Sequence, residues 1–438
     1  MSGFDFWEAC RAAIAIDSTS THGNREYVEF LKKLLAPMDF SVRTQEIHEG
    51  EYRGVNLIAE KGGGPDVILF DTHLDTVSPG NAALWTETGG DPFRATFKNG
   101  KIFGLGVADV KLDFLCKLKA LEPFIGRRFR NRFILLGTFG EEVGLIGAKA
   151  FLDDYHGQLD FALIGEPTSL KLVNRHKGRA CYEFRLPAAP AAPAGELVTL
   201  DVKGEAAHSS TPERGRNAIE AALEFLSALS DPPTGVCLEG GTLLNVVPES
   251  CAVTMPASER ALAGVRPARD RPPLLDPAPL LSFWDAIRSI QRSLPKDTTW
   301  VCATVRTESD AYVFEFDSRF WEDSESVSDE MLTHLKPAAC RILRKNASFY
   351  ETSDAWHVEG LCGALSDIGL KAEFTAKTAS TEAALFGQRC TSLVFGPGPS
   401  EGNVHRPNEY NLVSELETAI RAYESILRRL VAVPDVQG

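Results

Sequence analysis

The stretch Val67-Ile-Leu-Phe-Asp71-Thr-His73-Leu-Asp75 sets four consecutive apolar residues ahead of two acids and a histidine. A short apolar run closed by polar residues reads as a strand buried on both faces, the kind that fills a parallel sheet. Three further runs repeat the pattern. FILLGTF (133–139) precedes Gly140-Glu141-Glu142, FALIG (161–165) precedes Glu166-Pro167-Thr168, and SLVFG (392–396) leads to the loop that carries His405. In open α/β sheets, binding residues gather in the crevice beyond the carboxyl ends of the strands. His73, Glu142, Glu166 and His405 are therefore expected to converge. Asp109 joins them from the start of an amphipathic helical pattern, VKLDFLCKLKALEPF (110–124), after the hairpin-like Phe97-Lys-Asn-Gly-Lys-Ile-Phe103. Two imidazoles and three carboxylates make a candidate metal-ligand set.

Each residue taken singly has a plainer reading. His73 can be a strand-end histidine bonded to a nearby acid, and Glu166-Pro167 a turn, since proline pushes the preceding residue out of helical geometry. Glu141-Glu142 can complement the dipole of a helix over VGLIGAKAFLDDY (143–155). His405 can be a solvated loop residue. Adjacent acids at the end of an apolar strand are nevertheless costly to bury without a cation. Five such residues at one end of one sheet favour a common site.

Around these strands the chain alternates helix and strand. Helices are expected near 4–16 and 24–36, strands near 40–47 and 54–60, then a helix near 354–368, a strand at KAEFTA (371–376) and a long helix from Ser414. This rhythm predicts an α/β fold with a mixed, mostly parallel central sheet and helices on both faces. The middle reads differently, with alternating strands (YEFRL, LVTLDV, YVFEFDS) and helical patterns at 216–229 and 326–339. An inserted α+β sandwich with helices on one face fits it. The expected boundaries are 1–180 and 353–438 for the outer domain and 181–352 for the insertion. LPAAPAAPAG (186–195) reads as an extended hairpin loop, and 256–280, rich in Pro, Arg and Ala, as an exposed insertion.

Composition narrows the function. The 438 residues carry 46 Lys and Arg against 60 Asp and Glu, a net charge of −14. Nucleic-acid or anionic-membrane binding as a main role is thereby disfavoured. Nine cysteines without a Cys-x-x-Cys pair suggest reduced thiols. The first residues lack a basic signal-peptide start, and no apolar run approaches the ~20 residues of a membrane span. A cytoplasmic, soluble protein is expected.

The motifs together resemble the metallopeptidase family that contains acetylornithine deacetylase, succinyl-diaminopimelate desuccinylase, aminoacylase-1 and carboxypeptidase G. They are Asp71-Thr-His73-Leu-Asp75-Thr-Val, Gly104-Leu-Gly-Val-Ala-Asp109-Val-Lys111, Thr138-Phe-Gly-Glu141-Glu142-Val-Gly144, Gly165-Glu166-Pro167-Thr168 and the His405 segment. The likeness is strongest to the acetylornithine deacetylase branch, through Ile164-Gly-Glu-Pro-Thr-Ser-Leu170 with His176-Lys-Gly178 and through His208-Ser-Ser-Thr-Pro-Glu-Arg-Gly-Arg-Asn-Ala-Ile-Glu220. Thr381-Glu382-Ala383 and Phe395-Gly-Pro-Gly398 add to it.

The resemblance implies two Zn²⁺ ions, with Co²⁺ or Mn²⁺ as possible substitutes. His73 and Glu166 would hold one, Glu142 and His405 the other, and Asp109 would bridge. Asp75 would bond the other nitrogen of His73, and Glu141 would be the general base. The insertion would be a lid and dimerisation domain. His208, by the same likeness, stabilises the oxyanion across a homodimer, and Asn245 and Arg319 hold the substrate's α-carboxylate. A surface salt bridge is the plainer role for Arg319, and a capping or solvated position for His208. The implied reaction removes the acyl group of an N-acyl amino acid, N²-acetylornithine first, as in arginine biosynthesis. Alternatives are N-acetylcitrulline or another acylated amino acid, succinyl-diaminopimelate, a dipeptidase or carboxypeptidase, and a non-catalytic amino-acid-binding relative. Two departures stand out: Asp109-Val-Lys111-Leu-Asp113 lacks the family's glycine, and an extra stretch near 256–310 separates Asn245 from Arg319.

Overall fold

Four parallel strands form the middle of the first sheet, in the spatial order Arg132–Thr138, Val67–His73, Phe161–Gly165 and Thr391–Val394. Tyr52–Lys61 and Ser41–Glu49 extend it antiparallel on one side. On the other side Leu172–His176 pairs antiparallel with Thr391–Val394 and with Phe349–Tyr350, and parallel with Phe374–Lys377. The computed structural model describes residues 3–192, 195–257, 264–295, 297–321, 335, 339–351 and 355–432. The chain divides into two compact units, Met1–His176 with Phe349–Lys377 and Thr381–Gly438, and Lys177–Ser348 with Thr378–Ser380.

The central strands are apolar throughout because both of their faces are covered. Ile68, Phe70, Phe133, Leu135, Phe161 and Leu163 share one core with helices Phe6–Ala15, Arg25–Leu35, Lys111–Leu121, Trp356–Asp367 and Val413–Leu430. The intervening Leu69, Ile134, Leu136, Ala162 and Ile164 are equally buried on the opposite face, where Ile146–Asp154 and Ala383–Phe386 pack.

The helix after Asp109 departs from expectation. It spans Lys111–Leu121, and every residue but Lys119 is buried, so it is not amphipathic. Helices Phe6–Ala15 and Val413–Leu430 cover the side that an amphipathic helix would show to water. Two of its charges neutralise each other internally. Lys117 pairs with Asp113 at 2.8 Å and donates to the Asp71 carbonyl at 2.5 Å, while Asp113 accepts from Thr72 at 2.8 Å and from the Tyr423 hydroxyl.

The second unit holds an eight-stranded antiparallel sheet. Its order is Val265–Pro267, Leu197–Lys203, Ser250–Pro256, Cys237–Gly240, Thr299–Thr307, Ala311–Phe320, Gly178–Pro187 and Ala339–Asn346. Alternate residues Ala180, Tyr182, Phe184 and Leu186 join helices Ala218–Ser227 and Ala278–Ser293 in one core. Gly178–Pro187 and Leu197–Lys203 lie far apart in this sheet, so the Pro/Ala-rich connection between them is a crossover and not a hairpin loop. The stretch 256–280 is not uniformly exposed either. Val265–Pro267 pairs with Leu197–Lys203, and Leu274 and Leu275 are buried. Helix Ala278–Ser293, unforeseen in the sequence, buries Leu280, Phe283, Trp284, Ile287 and Ile290 at helical spacing. Most of the helical pattern at 326–339 lies outside the described residues, and its last residue, Ala339, opens a strand.

Candidate metal centre

His73 is the last residue of its strand, and Glu166 follows its own strand directly. Glu141 and Glu142 lie in a turn after Arg132–Thr138, and the next helix starts only at Ile146, so they are not helix-terminal acids. Gly140 opens that turn at φ +80°, and a Cβ there would meet Ile146 Cγ1 at 2.3 Å. Only glycine suits the position.

Asp109 lies between two imidazoles. Its Oδ1 is 3.2 Å from His73 Nε2, and its Oδ2 is 3.1 Å from His405 Nε2. The same His405 nitrogen is 3.0 Å from Glu142 Oε1. One ligand atom from each of His73, Asp109 and Glu142 lies within 4.8 Å of the others. Hard oxygens and borderline nitrogens at this spacing fit a divalent cation of the zinc type, and among the described residues no cysteine belongs to the group. Glu166 is buried beside this group and is ion-paired to Lys377.

The field is strong. Burial would raise the Asp109 pKa, but the His405 and His73 imidazoles hold the carboxyl well below its usual range. Burial would lower the His73 pKa, and the Asp109 and Asp75 carboxylates reverse this, holding it well above the ordinary imidazole value. Glu142 does most to push His405 up to about 12. Burial keeps the Glu166 carboxyl above its ordinary value, against the pull of Lys377.

Asp75 lies on the Nδ1 side of His73, the nitrogen turned away from Asp109. The main-chain oxygen of Asp75 meets His73 Nδ1 at 3.0 Å, while its carboxylate is 3.6 Å away. The carboxylate instead accepts from Ser20 Oγ at 2.7 Å and from the Glu141 N–H at 3.2 Å. Asp75 thus fixes the backbone of Glu141 as well as the His73 tautomer.

Three residues near the ligands carry roles that sequence reasoning missed. Buried Glu409 accepts from the N–H groups of Gly106, Ala108 and Asp109 at 3.2, 2.8 and 3.0 Å, and so clamps the Asp109 loop. Burial pushes its carboxyl up to about 7. Glu382 accepts from Thr138 Oγ1 at 2.9 Å beneath the Glu141 turn. Lys377 is the third. The glycine-rich run before Asp109 signals N–H groups in need of an acceptor, but nothing in the sequence says that Glu409 supplies it.

The remaining candidates belong to the second unit. His208 Nδ1 is 2.7 Å from Ser210 Oγ, and its backbone bridges to Val246, next to Asn245. Arg319 is 4 % exposed on strand Ala311–Phe320, and its Nε donates to Asp317 at 2.8 Å.

The profile of peptidase family M20/M25/M40 matches residues 69–429. An acetylornithine deacetylase of Proteus mirabilis (strain HI4320) is 34% identical over 216 residues, 49% of this chain and 50% of that protein. One from Pasteurella multocida (strain Pm70) is 36% identical over 207 residues, 47% of this chain and 48% of its own. The chain thus spans about half the length of the curated relatives it matches. Among solved structures, the aminoacylhistidine dipeptidase of Vibrio alginolyticus superposes with a TM-score of 0.67 over 96% of both chains at 16% identity, a likeness of fold. With a matching profile over most of its length and this fold, the chain belongs to peptidase family M20/M25/M40.

Proposed function

We propose that the chain is a metal-dependent amidohydrolase that removes the acyl group of an N-acyl amino acid, with N²-acetylornithine the first substrate to test. One observation carries the reading: buried Asp109 offers one oxygen to each of two imidazoles, with Glu142 on the same His405 nitrogen. His73, Asp109, Glu142, Glu166 and His405 would hold two Zn²⁺, and Co²⁺ or Mn²⁺ would serve in their place. Bound there, divalent ions polarise a scissile carbonyl and acidify water.

The chain's own residues supply the rest. Glu141 takes a proton on a carboxylate oxygen from the attacking water and delivers it to the leaving amine nitrogen. Asp75 holds the Glu141 N–H and keeps that carboxylate in place. Asn245 and Arg319 are the proposed anchors of the α-carboxylate, and His208 the oxyanion donor. The Arg319 Nε pairs with Asp317 in a buried setting, so its ion pair is not the surface salt bridge of the plainer reading. A homodimer in the cytoplasm, with the second unit as lid and dimerisation domain, completes the proposal. Among the described residues no helix is long and apolar enough to cross a membrane.

Glu141→Ala should keep its metal and lose turnover by ~10²–10⁴-fold. Acetate release from a panel of acetyl-amino acids, with and without chelator, tests the activity. Near wild-type cleavage by Glu141→Ala removes the general-base assignment. Amino acids released from dipeptides alone would make the chain a peptidase, and no hydrolysis of any substrate would leave a binding protein.

A further inference from the structure

Glu166 differs from the other acids of the cluster in its partner. Asp109 and Glu142 face imidazoles, which exchange a proton for a metal ion and then donate a lone pair to it. Glu166 faces an ammonium. Lys377 Nζ is bonded to Glu166 Oε2, and the two side chains are 12% and 6% exposed. Lys377 closes strand Phe374–Lys377, which runs parallel to Leu172–His176, so the backbone sets the position of its side chain. A protonated lysine has three donors and no lone pair, so it cannot ligate a cation. In a buried setting its charge repels one strongly.

We propose that Lys377 makes the two halves of the acid cluster unequal: the half containing Asp109, Glu142 and His405 accepts a divalent cation directly, whereas Glu166 accepts one only by giving up its ion pair with Lys377. The inference rests on the metal reading above and goes beyond it, since the ligand set alone treats both halves alike. Lys377 acts as a built-in competitor, and the second ion is held loosely and exchanges.

The full chain, stripped with chelator, is titrated with Zn²⁺ alone against a chromophoric competitor, and retained metal is counted after gel filtration. The wild type should keep one ion and bind a second at least ~10-fold more weakly. Lys377→Met should tighten the second ion by at least ~10-fold and leave the first unchanged, whereas Lys377→Arg should behave as the wild type. Two ions of equal affinity in the wild type, or a second-ion affinity unmoved in Lys377→Met, would overturn the proposal. Should Lys377→Met not fold, Glu166→Gln serves in its place. That variant should keep the first ion at wild-type affinity, and loss of the first ion overturns the proposal. A wild type that binds no ion at all brings down the metal reading itself, which separates the two failures.

Discussion

Two buried aspartates invite comparison, Asp317 in the second unit and Asp109 in the first. Asp317, fully buried, lies between Arg179 and Arg319 at 2.7 and 2.8 Å. Asp109, 8 % exposed, lies between His73 and His405 at 3.2 and 3.1 Å. Burial alone would raise both carboxyls, and the flanking cations hold both below their usual range. The flanking chemistry separates them. A guanidinium neither loses its proton in the working pH range nor offers a lone pair, so the arginine–Asp317 cluster has no proton to trade for a cation. An imidazole does both, so the Asp109 cluster can trade protons for a cation.

Four substitutions break or sharpen this contrast. The largest effect is expected from Asp109→Asn, which should lower retained zinc and acyl-amino-acid hydrolysis by at least ~10³-fold, read by metal analysis and turnover. Asp317→Asn should do the reverse. It strips buried Arg319 and partly buried Arg179 of their counter-charge and should cost about 3–5 kcal/mol in denaturant unfolding, while zinc retention per folded molecule stays unchanged. Loss of zinc without loss of stability in that variant would erase the distinction.

Smaller effects refine it. Glu409→Gln offers one acceptor oxygen where the carboxylate offers two, so the Asp109 loop should loosen and zinc affinity fall ~10–100-fold. Among the described residues Glu220 has neither kind of cationic partner: its carboxylate accepts from Gln291 at 3.2 Å, and burial raises its pKa from 4.5 to about 7. A raised folded-state pKa means stability fully present below about pH 4.5 and lost as pH climbs through about 7. Glu220→Gln should therefore unfold later than the wild type at pH 8, by up to about 3 kcal/mol, and nearly match it at pH 4.5. A stabilisation equal at both pH values would show that the carboxyl is not what costs.

The strand-end candidates were legible because buried parallel strands are continuous apolar runs, and the residues after each run must fall at the sheet's rim. His73, Glu142 and Glu166 needed no more than that. The cover on helix Lys111–Leu121 was not legible, since Asp113 and Lys117 look like a solvated pair until Tyr423, from far along the chain, closes over Asp113. Helix Ala278–Ser293 had its signal in Leu280, Phe283, Trp284 and Ile287, but the Pro/Arg-rich stretch before it suggested an irregular insertion. Lys377 and Glu409 stayed hidden for a common reason. A lone charged residue in a chain with 106 of them carries no periodicity, and its meaning comes only from what it touches.

The sheet order has a consequence for biosynthesis. Strand Thr391–Val394 lies between Phe161–Gly165 and Leu172–His176, both of which leave the ribosome before the whole second unit. A growing chain therefore carries an unfilled slot for about half of its translation, with two strand edges open to wrong partners. His405 and Glu409 arrive just behind the strand that closes the slot. On the proposed metal reading, capture of a cation is thus a late event, timed to the docking of the final segment.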